Sequence, residues 1–90
     1  MSIRVREFEW DEGNRNKNLI KHNVTDEEAE EVFFNRAKYT KTYGDRYKLL
    51  GVTNSGRYLT VIFALKKHGV VRIISARDMT DKERRNYKKK

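Results

Sequence analysis

Arginine is the side chain best suited to hold a phosphate, because its planar fork donates two parallel hydrogen bonds and stays charged at any working pH. Between Arg46 and Arg77 this 90-residue chain places Arg46, Lys48, Arg57, Lys66, Lys67, Arg72 and Arg77 among β-forming residues, without a single carboxylate. Residues 1–45 carry 8 basic and 10 acidic side chains, whereas residues 46–90 carry 13 basic and 3 acidic ones. So one-sided a distribution favours an anionic partner. A solvated basic face that serves only solubility accounts for a charge excess equally well, so position must decide. Arg72 lies between Val71 and Ile73 and Arg77 ends the same run. Strict alternation puts the two on opposite faces, and both reach one site only if a bulge or the strand end intervenes. His22, with an unperturbed pKa of ~6.5, invites an acid or base role, although a histidine at a helix end also serves as a cap or in packing. The carboxylates from Asp26 to Glu31 sit where they complement the positive end of a capped helix, so neither a metal nor another cofactor is assigned.

These residues need elements to position them. Ile3 to Trp10 largely alternates apolar with charged residues and reads as a half-buried strand. Asp11 is placed to cap a weakly encoded helix from Glu12 to His22, with Leu19 and Ile20 as its apolar face and Asn23 closing it. Thr25-Asp26-Glu27-Glu28 is a capping box, with Val24 set to staple onto Ala29. It opens a second helix whose buried stripe is Ala29, Val32 and Phe33, while Asp26, Glu27, Glu30 and Glu31 face away. Beyond Asn35 the period changes to two, and turns at Gly44-Asp45, Asn54-Ser55-Gly56 and Lys66 to Gly69 separate strands ending at Tyr43, Thr53, Leu65 and Arg77. The strand from Arg57 to Leu65 is apolar on both faces, which predicts a central place in the sheet. A second capping box, Thr80-Asp81-Lys82-Glu83, opens a C-terminal helix towards Tyr87. The predicted order is βααββββα: a small single α+β domain over residues 1–90, with an antiparallel sheet and its helices packed on one side. Trp10 and Phe33 are assigned to the core and His68 to its turn.

The composition narrows the class further. Hydrophobic residues make up 37% of the chain and charged ones 38%, which is polar for a folded domain, yet ten aromatics exceed what a disordered tail carries. Without cysteine there is no disulfide framework, thiolate zinc site or cysteine nucleophile. The longest apolar run, Val61 to Leu65, falls far below the ~20 residues of a membrane span, and Arg4 and Arg6 interrupt any secretory signal, so a soluble, cytoplasmic protein with no membrane partner is expected.

Phe8-Glu9-Trp10-Asp11, Asn18-Leu19-Ile20-Lys21-His22, Glu28-Ala29, Val32-Phe33, Arg72-Ile73-Ile74-Ser75-Ala76-Arg77 and Glu83-Arg84-Arg85-Asn86-Tyr87 together resemble the BrnT family of bacterial toxins. The likeness runs from about Phe8 to Tyr87. Asn23 after Lys21-His22 and Asp45 before Arg46 depart from the family's usual glycine and glutamate, and neither removes a basic group. The resemblance implies a RelE-like fold and a type II toxin that cleaves cellular RNA and inhibits translation. It also implies neutralisation by a cognate BrnA-like ribbon-helix-helix antitoxin, through which alone the pair would contact DNA. Metal-free RNA cleavage needs the 2′-hydroxyl to attack the adjacent phosphate, groups to move two protons, and cations for the phosphorane. Under this reading Arg72, Arg77, Arg46, His22 and Tyr87 are the candidate catalytic residues, and Lys21, Lys48, Arg57 and Arg84 the candidate RNA contacts. Structural alternatives stand beside each: an ion pair with a helix carboxylate for Arg72 and Arg77, a pairing with Asp45 for Arg46, a solvated charge for Lys21, and packing for Tyr87. The rival function is a non-catalytic basic module that binds RNA or an acidic protein.

Overall fold

Period-two alternation after Asn35 folds into a four-stranded meander in the computed structural model, which describes residues 4–10, 13 and 15–89. Its strands are β2 (Lys38–Lys41), β3 (Arg46–Val52), β4 (Tyr58–Leu65) and β5 (Val70–Asp78), each antiparallel to the next. A short β1 (Glu7–Glu9) joins β5, giving the order β1-β5-β4-β3-β2 with the doubly apolar β4 at the centre as expected. β1 runs parallel to β5, which corrects the purely antiparallel expectation. Parallel neighbours need a long crossover, and two α-helices and the strands β2, β3 and β4 lie between these two in the chain. Of the expected strand from Ile3 to Trp10, only Glu7–Glu9 forms; Ile3 lies outside the described residues.

The edge of β5 beyond Arg72 is covered by α1 (Lys17–His22) instead of by more of β1. Asn18 Oδ1 accepts the Ala76 N–H at 2.8 Å, and the Lys17 ammonium donates to the Ile74 carbonyl at 3.2 Å. Asn18 is therefore the buried residue of this helix, whereas Leu19 and Ile20, expected to form its apolar face, are 42% and 85% exposed. The six-residue helix docks through the side chains of Asn18 and Lys17 on backbone groups of β5, and Leu19 and Ile20 are left outside that contact. The expected start near Glu12 also shifts, because Asn16 adopts a left-handed conformation (φ 61°) and the helix begins at Lys17; Asp11 and Glu12 lie outside the described residues. Asn23 closes it as predicted, with φ 56°.

The first capping box forms completely: Thr25 Oγ1 accepts the Glu28 N–H and Glu28 Oε1 accepts the Thr25 N–H, each at 3.0 Å. α2 (Asp26–Glu31) then tightens into a single 3-10 turn, Val32–Phe34. Ala29, Val32 and Phe33 are buried in one cluster with Leu49, Leu59, Val61, Phe63, Val71 and Ile73. Phe63 stacks on Tyr47 and meets Phe33 edge-on at 4.9 Å. Gly51 is needed under this crossing, since a Cβ there would lie 2.9 Å from the Val32 carbonyl oxygen. Asp26 does not face away as expected: it is buried and accepts the Asn16 N–H. Trp10 is half-buried at the rim of the core, with its indole N–H donating to Glu30 at 2.7 Å.

α3 (Asp81–Lys88) lies on the opposite face of the sheet from α2, so the helices are not all on one side. Alternation explains the split: Leu49, Leu59, Val61 and Phe63 face α2, whereas α3 reaches Lys48, Tyr58 and Thr60, the intervening positions on β3 and β4. Among the described residues no helix is long and apolar enough to cross a membrane.

Asn18 links the sequence most directly to this arrangement. Asn18→Ala leaves the buried Ala76 N–H without its acceptor, and the expected cost is about 1–3 kcal/mol, read as a lower urea midpoint with an unchanged slope. Leu19→Ala, on an exposed position, is expected to shift that midpoint far less.

Candidate functional site

The face of the sheet shared with α3 carries the basic residues, and a β-bulge assembles them. Ile62 pairs with Ser75 but Phe63 with Ile73, so Ile74 is the extra residue on β5. Its carbonyl is the one held by Lys17. Past the bulge the alternation is reset, and Arg72 comes opposite Ala64 while Arg77 lies opposite Thr60, even-numbered positions of β4 that share one face. The condition for bringing the two arginines together is thus met. Three cross-strand rows follow: Arg46, Ala64 and Arg72; Lys48, Ile62 and Ser75; Leu50, Thr60 and Arg77. Glu9 lies beside Arg72 at the β1 edge. α3 covers the third row, reaches the second through the Glu83–Lys48 pair, and leaves Arg46 and Arg72 of the first part-exposed.

Glu83 is the anchor at that boundary. Its carboxylate is buried and accepts from both terminal nitrogens of Arg77 (2.8 and 3.0 Å), from the Lys48 ammonium (2.9 Å), from the Thr60 hydroxyl (2.9 Å) and from the Thr80 N–H (2.9 Å). The Arg77 fork in particular holds its pKa far below the usual carboxylate range, and the same bonds raise that of Arg77. Arg77 and Lys48 are thereby fixed in place, yet about a third of each side chain stays exposed, 37% and 35%. In the first row Arg72 donates to Glu9 at 3.0 Å, with Lys66 3.5 Å from the same oxygen. Arg46 is half-exposed and only 3.9 Å from Asp45.

The remaining sequence candidates sit elsewhere. Arg57 donates to Asp78 (2.8 and 3.1 Å) and to the carbonyls of Asn23 (2.7 Å) and His22 (3.4 Å), tying the end of α1 to β5. His22 therefore stands where β4 begins and β5 ends, six residues along β4 from the Arg46–Arg72 row, or about 20 Å at the rise of a strand. Lys21 is exposed on the same short helix. Tyr87 packs edge-on against Tyr58 at 5.9 Å, and burial pushes its phenol above the ordinary range. Arg84 lies over the Tyr58 ring at 4.7 Å. The structure thus gathers Arg46, Lys48, Arg72 and Arg77 on one face, places Tyr87 and Arg84 on α3 against the Tyr58 ring, and leaves His22, Lys21 and Arg57 at the far end.

Sequence reasoning read Glu83 only as the third residue of a capping box. Its second role depends on donors from three strands, which no local pattern reveals. Glu9 had a visible signal in the alternation of the first strand. Among the described residues no three His, Cys, Asp or Glu side chains lie close enough to hold a metal ion.

Residues 10–83 match the family model described as the ribonuclease toxin BrnT of type II toxin-antitoxin systems. Among solved structures, the 1.1 Å crystal structure of the Brucella abortus ribonuclease toxin BrnT is similar to this chain with a TM-score of 0.68 and 28% sequence identity, over 83% of this chain and 97% of that one. No functionally curated protein matches significantly.

Proposed function

This chain belongs to the BrnT family of ribonuclease toxins of type II toxin-antitoxin systems, and from that premise we propose that it is a metal-independent endoribonuclease whose working surface is the open half of the basic face. The observation that carries this reading is the bulge at Ile74, which turns Arg72 and Arg77 to the same side and aligns Arg72 with Arg46. A single RNA strand laid along that face meets Arg77 and Lys48 first and the Arg46–Arg72 row next. The substrate's 2′-oxygen attacks the neighbouring phosphorus and gives its proton to solvent water on this part-exposed face, while the bond to the 5′-oxygen breaks and that oxygen takes a proton from solvent water. The products carry a 2′,3′-cyclic phosphate and a 5′-hydroxyl. Arg72 and Arg46 stabilise the extra charge of the phosphorane, and proximity of the 2′-hydroxyl replaces activation of water by a metal. Two carboxylates beside these rows are tied to cations, Glu83 to Arg77 and Lys48 and Glu9 to Arg72 and Lys66, which favours cation stabilisation over metal binding there.

The proposed partner is a BrnA-like ribbon-helix-helix antitoxin that covers the same face, and cytoplasmic RNA is the proposed substrate. Inducing the gene alone is expected to arrest growth, and inducing it with the adjacent reading frame to relieve the arrest. Growth that is indifferent to both would favour the non-catalytic binding module.

A further inference from the structure

The turn between β2 and β3 sets an exposed aromatic ring beside Arg46. On β2, Lys38 and Thr40 oppose Leu50 and Lys48, so its even-numbered residues share the basic face, while Tyr39 packs on the core against Phe63. Strict alternation sends Tyr43 after Tyr39 and Lys41 to the core face. The backbone breaks that phase: the Thr42 N–H donates to the Arg46 carbonyl at 3.0 Å, and the Arg46 N–H donates to the Tyr43 carbonyl at 2.9 Å. Thr42 and Tyr43 therefore both oppose Arg46, a second bulge that re-aims a side chain as the one at Ile74 does. The turn is firmly held. The Thr42 hydroxyl donates to the same Arg46 carbonyl at 3.0 Å, Gly44 takes the left-handed position (φ 58°), and the Asp45 carbonyl accepts the Leu65 N–H of β4 at 2.9 Å. On this support Tyr43 is 73% exposed, more than any other described aromatic residue; Phe34, the next, meets Phe8 edge-on at 6.2 Å. A ring so exposed contributes little to the core, but it offers a face on which an unstacked RNA base can lie. Opposed residues of paired strands are about 5 Å apart, so a base on Tyr43 belongs to a nucleotide whose phosphate Arg46 can reach. Lys41 and Arg46 flank the ring against a single carboxylate, Asp45, which suits a polyanion.

We infer that Tyr43 is a base-stacking residue of the RNA site, holding the base of a nucleotide whose phosphate lies on the Arg46–Arg72 row. The inference rests on the ribonuclease reading for its ligand, but binding can be measured without cleavage. Two probes of equal length and charge are compared by fluorescence anisotropy: a single-stranded 2′-O-methyl oligoribonucleotide, which lacks the nucleophile, and a base-free chain of abasic spacers. Tyr43→Ala is expected to weaken the oligoribonucleotide about 10-fold and to leave the base-free chain, held by its phosphates alone, unchanged. Tyr43→Phe keeps the aromatic face and is expected to bind as the wild type does. Tyr43→Leu keeps bulk without that face and is expected to match Tyr43→Ala. Oligoribonucleotide affinity unchanged in Tyr43→Ala, the result for a ring that serves a protein contact instead, would overturn the assignment. Equal losses on both probes, or a Tyr43→Phe protein as weak as Tyr43→Ala, would overturn it too. Cleavage of unmodified RNA separates this inference from the reading it rests on. If the Tyr43 variants behave as expected and no RNA is cut, the ribonuclease reading fails and the stacking residue stands; if RNA is cut and Tyr43→Ala binds it as the wild type does, the stacking assignment fails alone.

Discussion

Arg72→Ala is expected to lower the kcat/KM for RNA cleavage about 100-fold or more while the protein remains folded. Losing a cation placed where negative charge develops costs ~2.7–4 kcal/mol of transition-state stabilisation, whereas losing a peripheral phosphate contact mainly weakens binding. Arg72 is well suited to this separation because its ion pair with Glu9 is at the sheet edge, with side chains 36% and 37% exposed. Pairs that accessible contribute roughly 0–1 kcal/mol to stability. The check is steady-state cleavage of a defined oligoribonucleotide beside thermal melting of the same preparation. A folded variant that cleaves at wild-type rate would remove Arg72 from the site and shift attention to Lys21 and His22 at the other end of the sheet. Arg77→Ala is expected to lose cleavage on the same scale, but its two bonds to Glu83 mean that stability falls as well.

The second large effect centres on Glu83. Glu83→Ala removes the acceptor of Arg77, Lys48, Thr60 and the Thr80 N–H at once. Breaking a fully buried pair costs about 3–5 kcal/mol, and the partial exposure of Arg77 and Lys48 reduces this, so the expected loss is roughly 2–4 kcal/mol with the helix cap included. The pH dependence has a definite sign. The Arg77 fork lowers the pKa of Glu83 in the folded state relative to the unfolded chain. The stabilisation is therefore complete above the ordinary glutamate range and is lost as pH falls below it, where the unfolded state takes up the proton first. Chemical denaturation of the wild type between pH 7 and pH 3 is expected to show that loss, and Glu83→Gln to flatten this part of the curve. Matching pH profiles for the two proteins would mean that the carboxylate does not hold the face together as described.

Much of this was legible locally. Both capping boxes form, the strands of the meander appear within a residue or two of their expected limits, and β4 is central because it is apolar at odd and even positions alike. What remained hidden depends on contacts between distant segments. Period-two alternation alone separates Arg72 from Arg77, and their reunion needs one inserted residue, Ile74, whose carbonyl is held by Lys17 57 positions earlier. α1 departs from its apolar pattern for the same reason: its pair Leu19-Ile20 is exposed, and the helix docks instead through Asn18, a poor helix former that satisfies a strand N–H. The placement of α3 on the far face follows from Glu83, whose donors come from β3, β4 and β5.

The most direct test of arginine-based, metal-free cleavage uses one RNA in two forms, unmodified and with a single 2′-deoxy sugar on the 5′ side of the mapped cut. Both are incubated with purified protein in excess EDTA. Because the proposed nucleophile is the substrate's own hydroxyl and the stabilising charges are Arg46 and Arg72, the unmodified RNA should be cut with EDTA present, leaving a 2′,3′-cyclic phosphate, and the deoxy position should remain intact. Cleavage abolished by EDTA, or continuing at the deoxy position, would contradict the account.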